Sequence, residues 1–264
     1  MHITSRDNSL LRQARAVRDG KVDEMIFVEG LRLCGEALRS KLELDAVIAS
    51  EEVVRKEKGA AAFAELSRAA SHVGTVSEKL LESISYTKTP QGIVVLAQRP
   101  EASEQRLAAS LTTNSLLVVL HQLNNPVNVG AILRTAEAAG ATGIITTRNT
   151  SDPFSPKSLR GAMGSAFRLP IWRNTDFGEA VAWCRKKKIN MVGTAAGATM
   201  NHTDWDWKRA SALVLGPEST GLSDEELQAT DQTVSIPMQG EVESLNVSVA
   251  AGILLYEAAR QRLS

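Results

Sequence analysis

The chain has 264 residues, 43% of them hydrophobic, and its 30 Lys and Arg are balanced by 30 Asp and Glu. That length holds two modest domains with their own cores, and that hydrophobic share excludes a disordered chain. The charge balance excludes a general basic field for nucleic acid, and no uninterrupted apolar stretch reaches the length of a membrane-spanning helix.

The N-terminus lacks the basic start and apolar run of a secretory signal. Cys34 and Cys184 fit neither a metal spacing nor a disulfide framework, so a reducing cytoplasm is the expected location. "SRDNSLLRQARAVRDGK", residues 5–21, reads as a polar, mostly basic helix. "MIFVEG" (25–30) reads as a short strand ending in a Gly turn, "LRLCGEALRS" (31–40) as a helix and "LDAVIAS" (44–50) as a strand. "AAAFAELSRAAS" (60–71) reads as an Ala-rich helix and "GIVVLAQ" (92–98) as a buried strand. Strands alternating with helices predict a small α/β unit. The polar, Pro-initiated "RPEASEQRLAASLTTN" (99–114) predicts a linker, with the domain boundary near residue 105.

"SLLVVLHQL" (115–123) opens the second half as a strand apolar enough to be buried on both faces. A helix from Val129 to Gly140, the strand "GIITT", a basic loop, and "LPIW" follow. That loop region carries Arg148, Lys157, Arg160, Arg168 and Arg173 against one acid, Asp152, and reads equally as a phosphate track or a solvated surface. "FGEAVAWCRKKK" (177–188) is a helix ending in cations, which suit a helix C-terminus. "INMVGTAA", "SALVLG" and "TVSIPM" are strands, and "SLNVSVAAGILLYEAARQR" (244–262) is a final helix with no charge from Leu245 to Tyr256, which predicts burial on nearly every side. The predicted class is α/β, with a parallel sheet flanked by helices in the second half.

Three stretches carry the chemistry, each beyond the carboxyl end of a predicted strand, where open parallel sheets bind ligands. In "HQLNNPVNVGAILR", Val129, Ile132, Leu133, Ala136 and Ala139 form the core stripe of a helix. Its other side holds Gly130, Ala131 and Ala138 around a single cation, Arg134, which leaves room for a bulky partner: another helix or a ligand. Asn128 lies at the helix start, where capping is the plain account. In "LVLGPESTGLSDEELQ", Ser223 and Glu226 form a capping box, which leaves Glu218 as either a solvated turn residue or a site carboxylate. In "IPMQGEVESLNVSVA", Ser244 suffices as a cap, but Asn246 in a buried first turn needs a partner, structural or substrate.

In order and combination these motifs resemble the SpoU–TrmH branch of the SPOUT RNA methyltransferases. The family's Asn-x-Gly-x-x-x-Arg is met by Asn128, Gly130 and Arg134. Its strand running into Gly-x-Glu-x-x-Gly is met by Gly216, Glu218 and Gly221. Its Ile-Pro-Met followed by Ser-Leu-Asn-x-Ser is met by Ile236 to Met238 and Ser244 to Ser248. Asn125 stands where the family often has an acid. "FVEGLRLCGEAL" (27–38) and "HVGTVSEKLLESISYTKTPQGIVVLA" (72–97) more loosely resemble the substrate-binding domain often fused ahead, itself similar to small ribosomal proteins that hold structured RNA.

The resemblance implies a C-terminal parallel-sheet SPOUT domain with a trefoil knot, residues 106–264, preceded by a small α/β ribosomal-protein-like RNA substrate-binding domain, residues 1–105. Basic Arg12, Arg15, Arg18 and Lys21 are expected to help that front domain choose the RNA. The implied activity is methyl transfer from S-adenosylmethionine to a ribose 2′-hydroxyl of structured RNA, without a metal and by a homodimer. Ribosomal RNA is favoured over transfer RNA by analogy with the front domain. Arg134, Asn128, Glu218, Ser244 and Asn246 would form the catalytic set. Thr194, Ala195, Gly216, Ile236, Met238 and Leu245 would hold the cofactor. Guanidinium stays protonated, so Arg134 is expected to bind phosphate and stabilise a developing alkoxide rather than act as a base. An RNA-binding protein that kept the fold and lost transfer is the competing reading; the filled polar positions argue against it. A Rossmann enzyme would want a Gly-rich turn that "GTAAGATM" does not supply.

Overall fold

The computed structural model describes residues 1–263. They form two compact units: Met1–Pro100 with Pro153–Arg168, and Glu101–Asp152 with the chain from Leu169 on.

The first unit runs β1 (His2–Ile3), α1 (Ser9–Arg18), β2 (Met25–Glu29), α2 (Leu31–Arg39), β3 (Leu44–Ser50), α3 (Glu51–Arg55), α4 (Glu57–Ala69), β4 (Ala70–Val76), α5 (Glu78–Ile84) and β5 (Ile93–Gln98). Its sheet has the order β1-β4-β3-β5-β2, with β5 antiparallel to both neighbours and the other pairs parallel. Asn8 caps α1 by accepting from Leu10 N, and helical spacing then puts Leu10, Leu11, Ala14 and Val17 on the core side. Strands β2, β3 and β5 lie where the alternation predicts them. β4 does not announce itself: the Ala-rich α4 runs directly into it, and its opening residues are half exposed or exposed, so no apolar run marks the change of period. In α1, Arg15 donates to Arg6 O and Arg18 to Ser83 O and Ser85 O, so two of the four cations expected to face RNA are committed to backbone.

The chain then forms α6 (Glu104–Ala109), β6 (Leu116–Leu120), α7 (Pro126–Ala138) and β7 (Gly143–Thr147), followed by α8 (Pro156–Ala162) and α9 (Ser165–Arg168). β8 (Ile171–Thr175), α10 (Phe177–Lys186), β9 (Asn190–Thr194), β10 (Met200–Asn201), β11 (Ser211–Leu215), α11 (Asp224–Ala229), β12 (Gln232–Ser235) and α12 (Val247–Leu263) complete it. The second unit's sheet has the order β10-β12-β9-β11-β6-β7-β8, and every pair is parallel. β6, β7 and β11 are buried at every residue, as strands covered on both faces must be. From β6 the chain steps one way to β7 and β8, and the later strands stack on the other side. The carboxyl ends of β6 and β11 therefore meet at a reversal of strand order, where such sheets bind ligands.

Several expectations are corrected. The stretch predicted as a linker contains α6, and it is docked: Leu107 is fully buried and Glu104 accepts from Trp183 Nε1 at 2.7 Å. The basic loop contains α8 and α9, and residues 153–168 fold with the first unit, where α8 packs on β2 and Arg168 pairs with Glu36 at 2.9 Å. β12 stops at Ser235, short of Ile236–Met238, because Pro237 has no N–H for the ladder. The last helix begins at Val247, not Ser244, and one side of it stays open, with Val249, Ile253 and Tyr256 exposed. Both cysteines are buried and free, and burial pushes the Cys184 thiol up to about 12. Among the described residues no helix is long and apolar enough to cross a membrane.

Gly143 opens β7 under the docked α6. A Cβ there would lie 2.3 Å from Leu107 Cδ1 and 2.9 Å from Pro170 O, and a backbone oxygen cannot step aside. Gly143→Ala is expected to destabilise the protein by about 1–3 kcal/mol, read as a lower urea midpoint at unchanged slope.

Candidate active site

α7 starts one turn earlier than its apolar periodicity suggests. Asn125 is its cap, accepting from Val127 N at 3.0 Å, and Pro126 fills the first position, where a missing N–H costs nothing. Asn128 is thereby released from the capping role expected of it. It sits inside the first turn, only 7% exposed, and its amide spans two other segments. Nδ2 donates to Glu218 Oε1 at 2.7 Å, and Oδ1 accepts from Asn246 Nδ2 at 3.4 Å. Asn246, rather than Ser244, caps α12: its Oδ1 accepts from Ser248 N at 2.9 Å and Ser248 Oγ at 2.6 Å. One chain of hydrogen bonds therefore joins the three sequence stretches, from Ser248 through Asn246 and Asn128 to the Glu218 carboxylate.

Glu218 lies in the loop after β11, and that loop walls a cavity of about 600 Å³. Thr194, Ala195, Gly216, Ile236, Met238 and Leu245 all line it, as do Glu218, Ser244 and Asn246. Gly216 is needed where the loop turns back on itself, since a Cβ there would lie 2.8 Å from Leu222 N. The volume suits a small organic molecule. The charged side chains of the lining are Glu218 and Glu243, both acidic. A lining of apolar and neutral polar groups with two acids and no cation fits a ligand carrying positive charge, such as a sulfonium, better than a phosphorylated cofactor.

The far end of the loop is fastened by a pair that the sequence did not reveal. His121, the first residue after β6, is buried, with Nε2 2.7 Å from Glu226 Oε1 and Nδ1 2.9 Å from Thr147 Oγ1. Burial pushes the Glu226 carboxyl up, but the Ser223 N–H and His121 outweigh it and hold the carboxyl below its ordinary value. The carboxylate can only accept, so His121 Nε2 carries the proton of this bond. The capping box of Ser223 and Glu226 is present as expected, and it uses only one of the two Glu226 oxygens.

Arg134 stands apart from this assembly. It is exposed, makes no hydrogen bond or ion pair among the described residues, and does not line the cavity. Of the small residues expected around it at the surface, Ala138 is exposed, but Gly130 is buried within the chain, on a helix that packs against α12. Thr135 Cγ2 lies 4.0 Å from where a Cβ of Gly252 would be, so the two helices approach closely there. Among the described residues no three side chains gather as metal ligands.

Residues 115–256 match the model of the SpoU rRNA Methylase family, and residues 11–95 match that of an MRM3-like substrate binding domain. The chain is 36% identical over 204 residues to the 23S rRNA (guanosine-2′-O-)-methyltransferase RlmB of Haemophilus ducreyi, covering 76% of this chain and 83% of that protein. It is 34% identical over 197 residues to the 23S rRNA (uridine(2479)-2′-O)-methyltransferase of Streptomyces viridochromogenes, covering 73% and 68%. The structure of an AdoMet-bound rRNA methyltransferase from Sinorhizobium meliloti superposes with a TM-score of 0.85 at 30% identity, over 100% of this chain and 99% of that one.

A carboxyl held below its ordinary 4.5 in the folded state, as Glu226 is, contributes stability that is complete above that pH and is lost as pH falls below it. Glu226→Gln keeps an acceptor for Ser223 N but does not titrate. Its unfolding free energy should therefore fall less steeply than that of the wild type between about pH 5 and pH 3, measured by urea titration at each pH.

Proposed function

The chain belongs to the SpoU rRNA methylase family, and from that premise we propose that it transfers a methyl group from S-adenosylmethionine to a ribose 2′-hydroxyl of structured RNA, namely ribosomal RNA. The observation that carries this reading is the hydrogen-bonded junction of Asn128, Glu218 and Asn246 at the rim of an acid-lined, cation-free cavity. S-adenosylmethionine, when bound, supplies an already electrophilic methyl group on a positively charged sulfur. Gly216, Ile236, Met238 and Leu245, with Thr194 and Ala195, would hold its apolar and adenine parts. Glu218, fixed in place by Asn128, would lie toward its positive charge, and Ser244 and Asn246 would position the ribose. Holding the reactants in line supplies much of such a reaction.

Arg134 completes this reading only if a second chain is present. α7 and α12 pack together, and each leaves apolar side chains exposed: Val127 at 46% on α7, and Val249 at 50% and Tyr256 at 56% on α12. Val249, Ile253 and Tyr256 recur at helical spacing along one stripe of α12, and the small Ala138 is exposed on α7 one turn after Arg134. A homodimer through this face accounts for the exposed stripe and would carry Arg134 toward the partner's cavity. There its planar fork would bind the phosphate beside the target ribose and stabilise the developing alkoxide. The family's trefoil knot in the second unit, the choice of RNA by the first, and a reducing cytoplasm for the two free thiols belong to the same reading.

Labelled methyl transfer to bulk RNA, followed by mapping of 2′-O-methylated nucleotides in cells with and without the gene, tests the activity and finds the target. Arg134→Ala removes no hydrogen bond or ion pair among the described residues, so the fold and cofactor affinity should hold while single-turnover methylation drops by roughly 10²–10³. Arg134→Lys should rescue poorly, because an ammonium lacks the fork; wild-type turnover in either variant rejects the role. Ile253→Asp puts a charge on the apolar stripe. It should convert dimers to monomers in sedimentation at micromolar concentration, with the single-chain fold unchanged by circular dichroism.

A further inference from the structure

In the first unit, the least expected buried group is Glu29. It ends β2, a strand otherwise wholly apolar, and it is 8% exposed. A buried carboxylate is costly unless its oxygens are satisfied. Here both are, and all their partners belong to two consecutive residues. Oε2 accepts from Tyr86 N at 2.9 Å and Thr87 N at 3.3 Å, and Oε1 accepts from Thr87 Oγ1 at 2.7 Å. The other end of the same loop is also clamped. Ser50 N donates to Gly92 O at 2.8 Å, and the Gln91 side chain lies over Gly30, with Oε1 2.5 Å from where a Cβ would be.

This clamped loop presents an aromatic ring to solvent. Tyr86 is 44% exposed, its hydroxyl has no partner among the described residues, and among the Phe and Tyr rings of the unit it is the exposed one. Phe27, Phe154 and Phe167 are buried and Phe63 is partly covered. Lys88, two residues on, and Arg32, three residues beyond Glu29, are exposed and make no ion pair among the described residues. A lone exposed ring is ordinary. A lone exposed ring whose own N–H, with the N–H and hydroxyl of the next residue, is held by a buried carboxylate is a positioned one.

We infer that the Tyr86–Gln91 loop is a base-stacking platform of the first unit, on which an unpaired base of the substrate RNA lies against the Tyr86 ring while Lys88 and Arg32 take the adjoining phosphates. The inference rests on RNA being the substrate and adds the residue that grips it. A protein partner would need a cluster of apolar side chains, and Met1 is the other large apolar residue exposed in this unit. A flat ring with one exposed cation two residues on and another on the helix that follows its clamping carboxylate matches a nucleotide, which offers one π-face and one negative charge.

The test uses the full-length protein and large-subunit ribosomal RNA purified from cells lacking the gene. Dissociation constants are measured by filter binding, with methylation kinetics and cofactor calorimetry on the same samples. Losing one base stack, worth about 1–3 kcal/mol, corresponds to a roughly 5- to 150-fold weaker RNA affinity for Tyr86→Ala. Tyr86→Phe and Tyr86→Trp, which keep a ring, should bind within about threefold of wild type, a change of well under 1 kcal/mol. For Tyr86→Ala the RNA KM should rise while kcat at saturating RNA, cofactor affinity and Tm stay put. Glu29→Gln, which turns an acceptor into a donor facing N–H groups, should weaken RNA binding in the same direction. Wild-type affinity in Tyr86→Ala, or equal loss in Tyr86→Phe, overturns the platform. So does a loss seen with intact ribosomal particles and not with naked RNA, which would assign the surface to a protein. If the wild-type protein binds the RNA and methylates none, the proposed activity fails while the binding comparison still decides the role of Tyr86.

Discussion

The site depends on one buried amide. Asn128 is the point where the helix after β6, the loop after β11 and the start of α12 are tied together, at 2.7 Å to Glu218 and 3.4 Å to Asn246. An amide is the side chain that can do this, since it donates on one side and accepts on the other. An aspartate would set two carboxylates against each other, and a leucine would strand the Glu218 oxygen and the Asn246 N–H. The rest of the site depends on this constraint. The loop carrying Glu218 walls the cavity on one side, α12 and its cap close it on another, and the junction ties the two to each other.

The same junction explains why the site was legible in the sequence while the roles of single residues were not. Glu218 and Asn246 stand 90 and 118 positions beyond Asn128, and no periodicity joins the three. Each alone has a plain account as a cap or a turn residue. Their combination is what the family resemblance picks out, and the chain does belong to that family. The plain capping account of Asn128 and Ser244 does not hold, because two other residues do the capping: Asn125, three positions before Asn128, and Asn246, two positions after Ser244. Buried strands such as β6, β7 and β11 were legible because continuous apolar runs have few other uses. β4 was not, since it borrows its first residues from the end of an alanine-rich helix. His121 was also silent: a histidine after a strand reads as nothing until Glu226, 105 positions on, is seen against it.

The two acids that line the cavity, the exposed stripe on α12 and the free guanidinium of Arg134 each have a complement in the proposed reaction. Each is an unsatisfied half. The acids lack a positive charge, the stripe lacks a cover and the guanidinium lacks an anion. A cationic cofactor, a second copy of the chain and a phosphate backbone are three different complements. The methyl-transfer reading supplies all of them at one place.

Residues 153–168 fold with the first unit although the chain has already built two strands of the second, β6 and β7. The order of synthesis then matters. When residue 100 leaves the ribosome, β2 still lacks α8, Phe154 is not yet under the Arg99 guanidinium, and Glu36 has no Arg168. At about 5–20 residues per second the missing face arrives several seconds later, behind unfinished sheet from the other unit. The nascent protein therefore carries two partly exposed cores at once. The segment that closes the first one is short and basic, and its Phe154, Leu159 and Phe167, buried in the folded protein, stay uncovered until that core receives them.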